Sequence, residues 1–79
     1  MPKMDYKSAM NIKRTRDLLK LIESFGYIFA RQNGSHMIYK PLTPSMPALP
    51  SIPAGRDISR GTLRNVLKVL YNGVNHGNA

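Results

Sequence analysis

One histidine occupies a position that suits acid–base catalysis. His36 directly follows Gly34-Ser35 in the stretch QNGSHMIYK, residues 32–40. A nuclease that works without a metal must bind phosphate, deprotonate an attacking group and stabilise a leaving group. RNA carries its own nucleophile, the 2′-hydroxyl, and histidine is a suitable base because its ordinary pKa of about 6.5 leaves much of it neutral near pH 7. Cleavage of RNA is therefore the chemistry that His36 suggests.

Neighbouring polar side chains could assist His36. Arg31 and Lys40 could hold phosphate and stabilise developing negative charge, and Ser35 could donate a hydrogen bond. The second histidine, His76, lies in a Gly- and Asn-rich tail and is predicted to have no functional role. No second histidine is evidently placed as an acid, which leaves water or a lysine to protonate the leaving oxygen. Judged from these residues alone, a solvent-exposed surface histidine is the commoner explanation.

The composition excludes several kinds of site. The chain has 79 residues, enough for one small domain, and it contains no cysteine, so disulfides, thiolate zinc sites and cysteine nucleophiles are excluded. Four acidic residues and two histidines leave little material for a metal site, and no cofactor is predicted. The net charge of +8 favours a polyanionic partner, a nucleic acid or an acidic protein. Without a membrane-length apolar run or a signal-peptide core, the predicted location is the cytoplasm.

The first firm element is a helix. From Leu18 to Phe25 apolar residues recur at the helical spacing i, i+3, i+4, i+7. Thr15 is a plausible N-cap, and Gly26 suits the position just after the last turn. The pattern predicts a helix over residues 15–25. The preceding residues 1–14 are basic and are predicted to form either a flexible arm or a frayed helical turn.

A β-hairpin is predicted next. Residues 27–32 and 35–40 are rich in aromatic and β-branched types, and Asn33-Gly34 between them is typical of a two-residue type I′ turn. That turn would place Arg31 opposite His36. One face of the hairpin would then carry Tyr27, Phe29, Arg31, His36, Ile38 and Lys40, and the other Ile28, Ala30, Met37 and Tyr39. The pattern does not identify which face meets the helices.

Proline recurs at every third position in residues 41–53. This spacing suits a polyproline II segment that could dock into an aromatic groove of a partner. It also suits an irregular connection with a turn at residues 43–46 and a short, broken edge strand within 46–52, because proline cannot donate to a ladder. The edge strand is the favoured interpretation.

The last element is a second helix. Ser59 or Thr62 can cap it, apolar residues form a stripe from Leu63 to Leu70, and Gly73 is expected to end it. The predicted fold class is therefore α+β, ordered helix–strand–strand–strand–helix, with two helices on one face of a three-stranded antiparallel sheet. The chain would divide into a basic arm (1–14), one domain (15–72) and a flexible tail (73–79).

These segments in order resemble a known family. LLKLIESFGYIFARQNGSHMIYKP followed by IPAGRDISRGTLRNVLKVL is similar to the HicA family of toxin–antitoxin ribonucleases. The features that carry the resemblance are Gly26-Tyr27, Arg31, Gly34-Ser35-His36, Tyr39 and Gly61-Thr62-Leu63. The resemblance covers about residues 15–72. One departure is Pro53-Ala54-Gly55, where many members carry Pro-x-His, so a second histidine has no role there.

The resemblance implies a function and a partner. It implies a double-stranded-RNA-binding-like fold that cleaves mRNA, with His36 as the catalytic residue, and a HicB-type antitoxin that blocks the active site. Arg31, Ser35, Lys40 and Arg56 are the candidate RNA-binding residues. Two alternatives stay open: a non-catalytic RNA-binding module of the same fold, and an interaction protein that docks its proline-rich segment into a partner.

Overall fold

A computed structural model describes residues 4–76, with the side chains described up to residue 71. Three helices and three strands follow one another as α1 (Tyr6–Ala9), α2 (Thr15–Ser24), β1 (Tyr27–Asn33), β2 (His36–Pro41), β3 (Ile52–Pro53) and α3 (Arg60–His76). The strands form one antiparallel sheet in the order β1-β2-β3. This arrangement confirms the predicted α+β class and is consistent with a double-stranded-RNA-binding-like fold. No helix in the described part of the chain is long and apolar enough to cross a bilayer.

Helix α2 agrees with the prediction to within one residue, but its first turn differs. The N-cap residue is Arg14, which makes no side-chain capping bond, and Thr15 is the first helical residue, so the predicted capping role of Thr15 is wrong. The helix ends at Ser24, and the chain leaves it through Gly26 at a φ of 98°. That left-handed backbone conformation is one that glycine adopts without steric cost.

The hairpin turn lies one residue later than predicted. Gly34 and Ser35 form the loop, and Asn33 pairs with His36. Gly34 has a φ of 64°, whereas no described non-glycine residue has a positive φ. Positive φ at the first loop position alone matches a type II′ turn, because a type I′ turn needs it at both positions. The predicted register is therefore wrong, and Arg31 lies opposite Ile38 rather than His36.

An irregularity in β1 redistributes its side chains between the two faces. The register shifts between Phe29 and Arg31, which leaves Ala30 as an extra residue. Arg31 therefore shares a face with His36, as predicted. Tyr27 and Phe29 lie on the opposite face with Met37, Tyr39 and Pro41 of β2, and their predicted placement beside His36 is wrong. That opposite face meets the core, since its two tyrosines are buried: Tyr27 and Tyr39.

The core lies between this sheet face and the helices. Leu18 and Ile22 of α2, Ile52 of β3 and Val66 and Leu67 of α3 have no accessible surface. The 17-residue α3 begins after Ser59, whose hydroxyl accepts the N–H of Thr62, so the predicted cap at Ser59 is confirmed. The helix continues beyond its predicted end at Gly73, to His76. Residues 77–79 of the predicted tail lie outside the described part.

The proline-rich segment is largely irregular and is tied to the core. The predicted turn at residues 43–46 is confirmed by a bond from the Met46 N–H to the Thr43 carbonyl. The phenol of the buried Tyr27 donates to the Pro47 carbonyl at 2.7 Å. Of the expected strand within 46–52, only Ile52 pairs with β2. Prolines remove ladder donors on both sides of this segment, which explains the short β3.

The N-terminal segment packs on the end of the domain. Of the two possibilities for residues 1–14, the structure contains a helical turn, α1, which Asp5 caps through the Ser8 N–H. Ala9 is fully buried, and the ring of Tyr6 packs edge-on against Tyr71 of α3 at 5.6 Å. The Tyr71 hydroxyl also donates to the Met4 carbonyl. These contacts join the segment to α3.

Candidate functional site

His36 is the first residue of the central strand β2, directly after the turn. Its backbone pairs with Asn33 of β1 on one side and with Pro53 of β3 on the other, and its side chain is exposed. Next to it, the Ser35 carbonyl accepts the N–H of Ala54 at 2.8 Å. Strand pairing on both sides therefore holds the backbone of His36 while the imidazole stays open to solvent.

Two of the predicted basic residues share the outer sheet face with His36. Arg31 lies across from Ile38, a diagonal position about 7–8 Å from His36 between Cα atoms. Lys40 lies farther along β2, about 13 Å from His36. Both side chains are exposed, and the half-buried Ile38 lies between them. The Arg31 side chain can thus reach a phosphate that contacts His36, whereas the Lys40 side chain could contact only a phosphate farther along the sheet.

The other two predicted residues lie at the edge of this face. Ser35 is exposed in the turn, where the Gln32 side-chain amide also donates to the Gly34 carbonyl at 3.0 Å. Arg56 lies in the loop between β3 and α3, and its carbonyl accepts the N–H of Thr15 at 2.9 Å. The structure thus brings Arg31, Ser35 and His36 together, and it places Arg56 against the first turn of α2.

A comparison with family models decides which family this is. The model described as the HicA toxin of bacterial toxin–antitoxin systems matches residues 15–70. The chain belongs to the HicA toxin family. Comparisons with curated proteins and with solved structures found no match. The matched residues contain α2, all three strands and the first eleven residues of α3. Membership of this family makes the chain the toxin of a toxin–antitoxin pair, with an antitoxin as its partner.

The toxin has further basic residues beside its candidate site that sequence reasoning did not select. Arg14 and Arg16 flank Thr15 at the start of α2 and line a groove of about 340 Å³ together with Arg56. The run Lys13-Arg14-Thr15-Arg16 was the available signal. The predicted boundary at residue 14 divides this run between the basic arm and the domain, because no local pattern shows that the loop after β3 returns to this end of α2.

The acidic residues of the toxin are few and dispersed. Asp57 lies 3.5 Å from Arg14, between the Oδ1 and Nε atoms, and Asp17 lies 4.0 Å from Arg16 between the same atom types. Within the described residues, no group of three His, Cys, Asp or Glu side chains could hold a metal ion. The outer sheet face around His36 therefore carries basic groups from Arg31 and Lys40 and no described carboxylate.

Proposed function

We propose that this toxin is an endoribonuclease that cleaves mRNA without a metal, with His36 as its catalytic residue. The observation that carries the proposal is the position of His36, which is exposed on a backbone held between two strands. It is also the only histidine in the segment that matches the family, residues 15–70. Rigid elements are the best supports for catalytic groups, because they keep the group near its productive geometry.

In the proposed reaction, the His36 imidazole removes the proton from a 2′-hydroxyl of the RNA. The freed oxygen forms a bond to the adjacent phosphorus, and the bond from phosphorus to the 5′-oxygen of the next nucleotide breaks. A general base of this kind contributes roughly 10²- to 10⁴-fold in rate. Water returns a proton to the leaving oxygen, since Lys40 lies about 13 Å from His36 along the strand.

Basic side chains supply the remaining stabilisation in this proposal. Arg31, diagonal to His36, stabilises the extra negative charge on the phosphate in the transition state, and Ser35 donates a hydrogen bond to it. Lys40 and Arg56 bind flanking phosphates and position the strand. A HicB-type antitoxin would inhibit the toxin by covering the outer sheet face. The proposed compartment is the cytoplasm, where mRNA is translated.

The test compares two histidine variants in an RNA-cleavage assay with a metal chelator present. We expect His36→Ala to abolish cleavage and to relieve growth arrest, and His76→Ala, outside the matched segment, to retain both activities. Because His36 is exposed, its replacement should change the free energy of unfolding by no more than about 0.5 kcal/mol, which circular dichroism in urea measures. Cleavage by His36→Ala at the wild-type rate would disprove its role, and loss of wild-type cleavage in chelator would disprove metal independence.

A second candidate function is RNA binding without cleavage. The observation in its favour is the net charge of +8 together with exposed basic residues on the face that carries His36. Such a module would bind RNA with a steep salt dependence and leave it intact after long incubation. The same cleavage assay therefore separates the two functions.

A further inference from the structure

A groove lies between the first turn of α2 and the loop that follows β3. Its volume is about 340 Å³, and its basic lining residues come from both elements: Arg14, Arg16 and Arg56. Leu19, Met37, Ala54 and Gly55 form the apolar part of the wall. Two bonds fix the two elements to each other, since the Thr15 N–H donates to the Arg56 carbonyl and the Ile58 N–H donates to the Lys13 carbonyl, each at 2.9 Å.

Thr15, which also lines this groove, has a hydroxyl without a partner. The residue is only 4% exposed, and its Oγ1 makes no hydrogen bond to any described residue. A buried polar group left unpaired is costly, so such groups in native proteins call for a partner. Threonine in a helix divides its population between two χ1 rotamers. Because the Oγ1 atom is buried, a change to the other χ1 rotamer would be needed to bring the hydroxyl to a group bound in the groove.

The start of α2 offers a further donor at the same place. Arg14, the N-cap, provides no side-chain acceptor, and the N–H of Arg16 has no acceptor among the described residues. Free N–H groups at a helix N-terminus carry partial positive charge and favour anions. The unpaired hydroxyl of Thr15 and the free N–H of Arg16 belong to successive residues that line one groove.

The carboxylates nearby oppose an anion only weakly. Asp57 pairs with Arg14 at 3.5 Å, but the two side chains are 75% and 44% exposed, and Asp17 lies 4.0 Å from Arg16. Exposed ion pairs of this kind contribute little to stability. Arg56 forms no ion pair with a described residue. Among the described residues, the Arg56 guanidinium thus has no carboxylate partner, and those of Arg14 and Arg16 have only weak ones.

We propose that this groove binds one phosphate group of the RNA substrate, beside the phosphate that is cleaved at His36. The choice of RNA as the source of this phosphate rests on the proposed function. The link between the sites is structural: Pro53 pairs with His36, the next residue donates to the Ser35 carbonyl, and at most about 11 Å of chain separates Pro53 from Arg56. A phosphate held in the groove would set the position of the strand relative to His36.

The first experiment uses inorganic phosphate as the probe and the His36→Ala protein as a non-toxic background. Backbone amide shifts followed by NMR should change saturably at Thr15, Arg16 and Arg56. Thr15→Val and Arg56→Gln should each weaken phosphate binding at least fivefold. Lys68→Gln, on the exposed part of α3, removes the same charge elsewhere and should leave the affinity unchanged.

Thr15→Val also separates a ligand-binding role from a structural one. Valine keeps the shape and removes the unpaired hydroxyl, so the variant should be at least as stable as its parent while it binds phosphate less well. If Thr15→Val does not fold, Arg56→Gln gives the answer, since its exposed side chain takes no part in the core. Phosphate shifts that are no larger in the groove than around Lys68 would overturn the proposal.

The second experiment distinguishes RNA from free phosphate. Binding of a 2′-O-methylated, uncleavable oligonucleotide is measured by fluorescence anisotropy over a series of salt concentrations. One phosphate of a single strand contributes roughly 0.7 to the slope of log K against log salt, so Arg16→Gln and Arg56→Gln should each reduce the slope by up to that amount, whereas Lys68→Gln should leave it unchanged. Unchanged slopes in the groove variants would overturn the RNA assignment. Reduced slopes in a toxin that never cleaves RNA would support the subsite and reject the proposed endonuclease.

Discussion

The turn before His36 can be tested by a single methyl group. Gly34 has a φ of 64°, and a Cβ built on it meets no atom within 4 Å. Gly34→Ala therefore introduces no collision, and its whole effect comes from the backbone. Holding an L-residue in the left-handed region costs roughly 1–2 kcal/mol. We expect the free energy of unfolding to fall by about that amount.

A matched control exists in the same chain. Gly61 lies in the first turn of α3, and a Cβ there also meets nothing within 4 Å, but its φ is not in the left-handed region. Gly61→Ala should therefore stabilise the protein by about 0.5 kcal/mol, because alanine loses less backbone entropy in a helix. The two substitutions add the same atom to open space and differ only in backbone conformation.

Urea denaturation of both variants in the His36→Ala background measures the difference. We expect unchanged m-values and a gap of about 2 kcal/mol between the variants. In a domain of this size, Gly34→Ala should lower the melting temperature by roughly 5–15 °C. If Gly34→Ala is as stable as Gly61→Ala, Gly34 does not have a positive φ. The Gly34-Ser35 turn, and with it the position of His36 on the sheet, would then be wrong.

Two further predictions concern the core. Leu67→Ala removes a side chain with no accessible surface and should lower the free energy of unfolding, measured by urea denaturation, by about 2–5 kcal/mol. Leu42→Ala, at a position 62% exposed, should lower it by less than about 0.5 kcal/mol. Equal losses in the two variants would contradict the assigned core. Burial raises the pKa of three tyrosines. Their contribution to the free energy of unfolding is therefore fully present below the ordinary phenol pKa of about 10, and it is lost as the pH rises through the pKa values of the folded state. Stability should therefore decrease above about pH 10, and phenolate absorbance should show that these tyrosines titrate late: Tyr27, Tyr39 and Tyr71.

The sequence by itself determined the elements whose signals are local. The apolar spacing from Leu18 to Phe25 and from Leu63 to Leu70 located both long helices, because helix signals repeat within a few residues. The sequence left the cap of the second open between Ser59 and Thr62, and the structure selects Ser59. The two extended runs around Gly34 located the hairpin. Their order along the chain was sufficient for the α+β class and for the resemblance that the family match confirms.

Only the tertiary structure decided the register and the faces of the hairpin. Asn33-Gly34 and Gly34-Ser35 are both acceptable two-residue turns, and burial of Tyr27 and Tyr39 against the helices selects between them. The irregularity at Ala30 lets β1 bury Tyr27 and still place Arg31 on the face of His36. Neither feature has a local signal, since each depends on contacts with residues distant in the chain.

Tertiary structure also decided what surrounds the first turn of α2. Arg14, Arg16 and Arg56 come from segments forty residues apart, and they meet because the loop after β3 bonds to the backbone of Lys13 and Thr15. Periodicity reports which face of an element is apolar, and it carries no information on which distant loop will cover that element's end. The sequence was therefore sufficient to propose His36 as a candidate, while the fold alone assembled the groove lined by Arg14, Arg16 and Arg56.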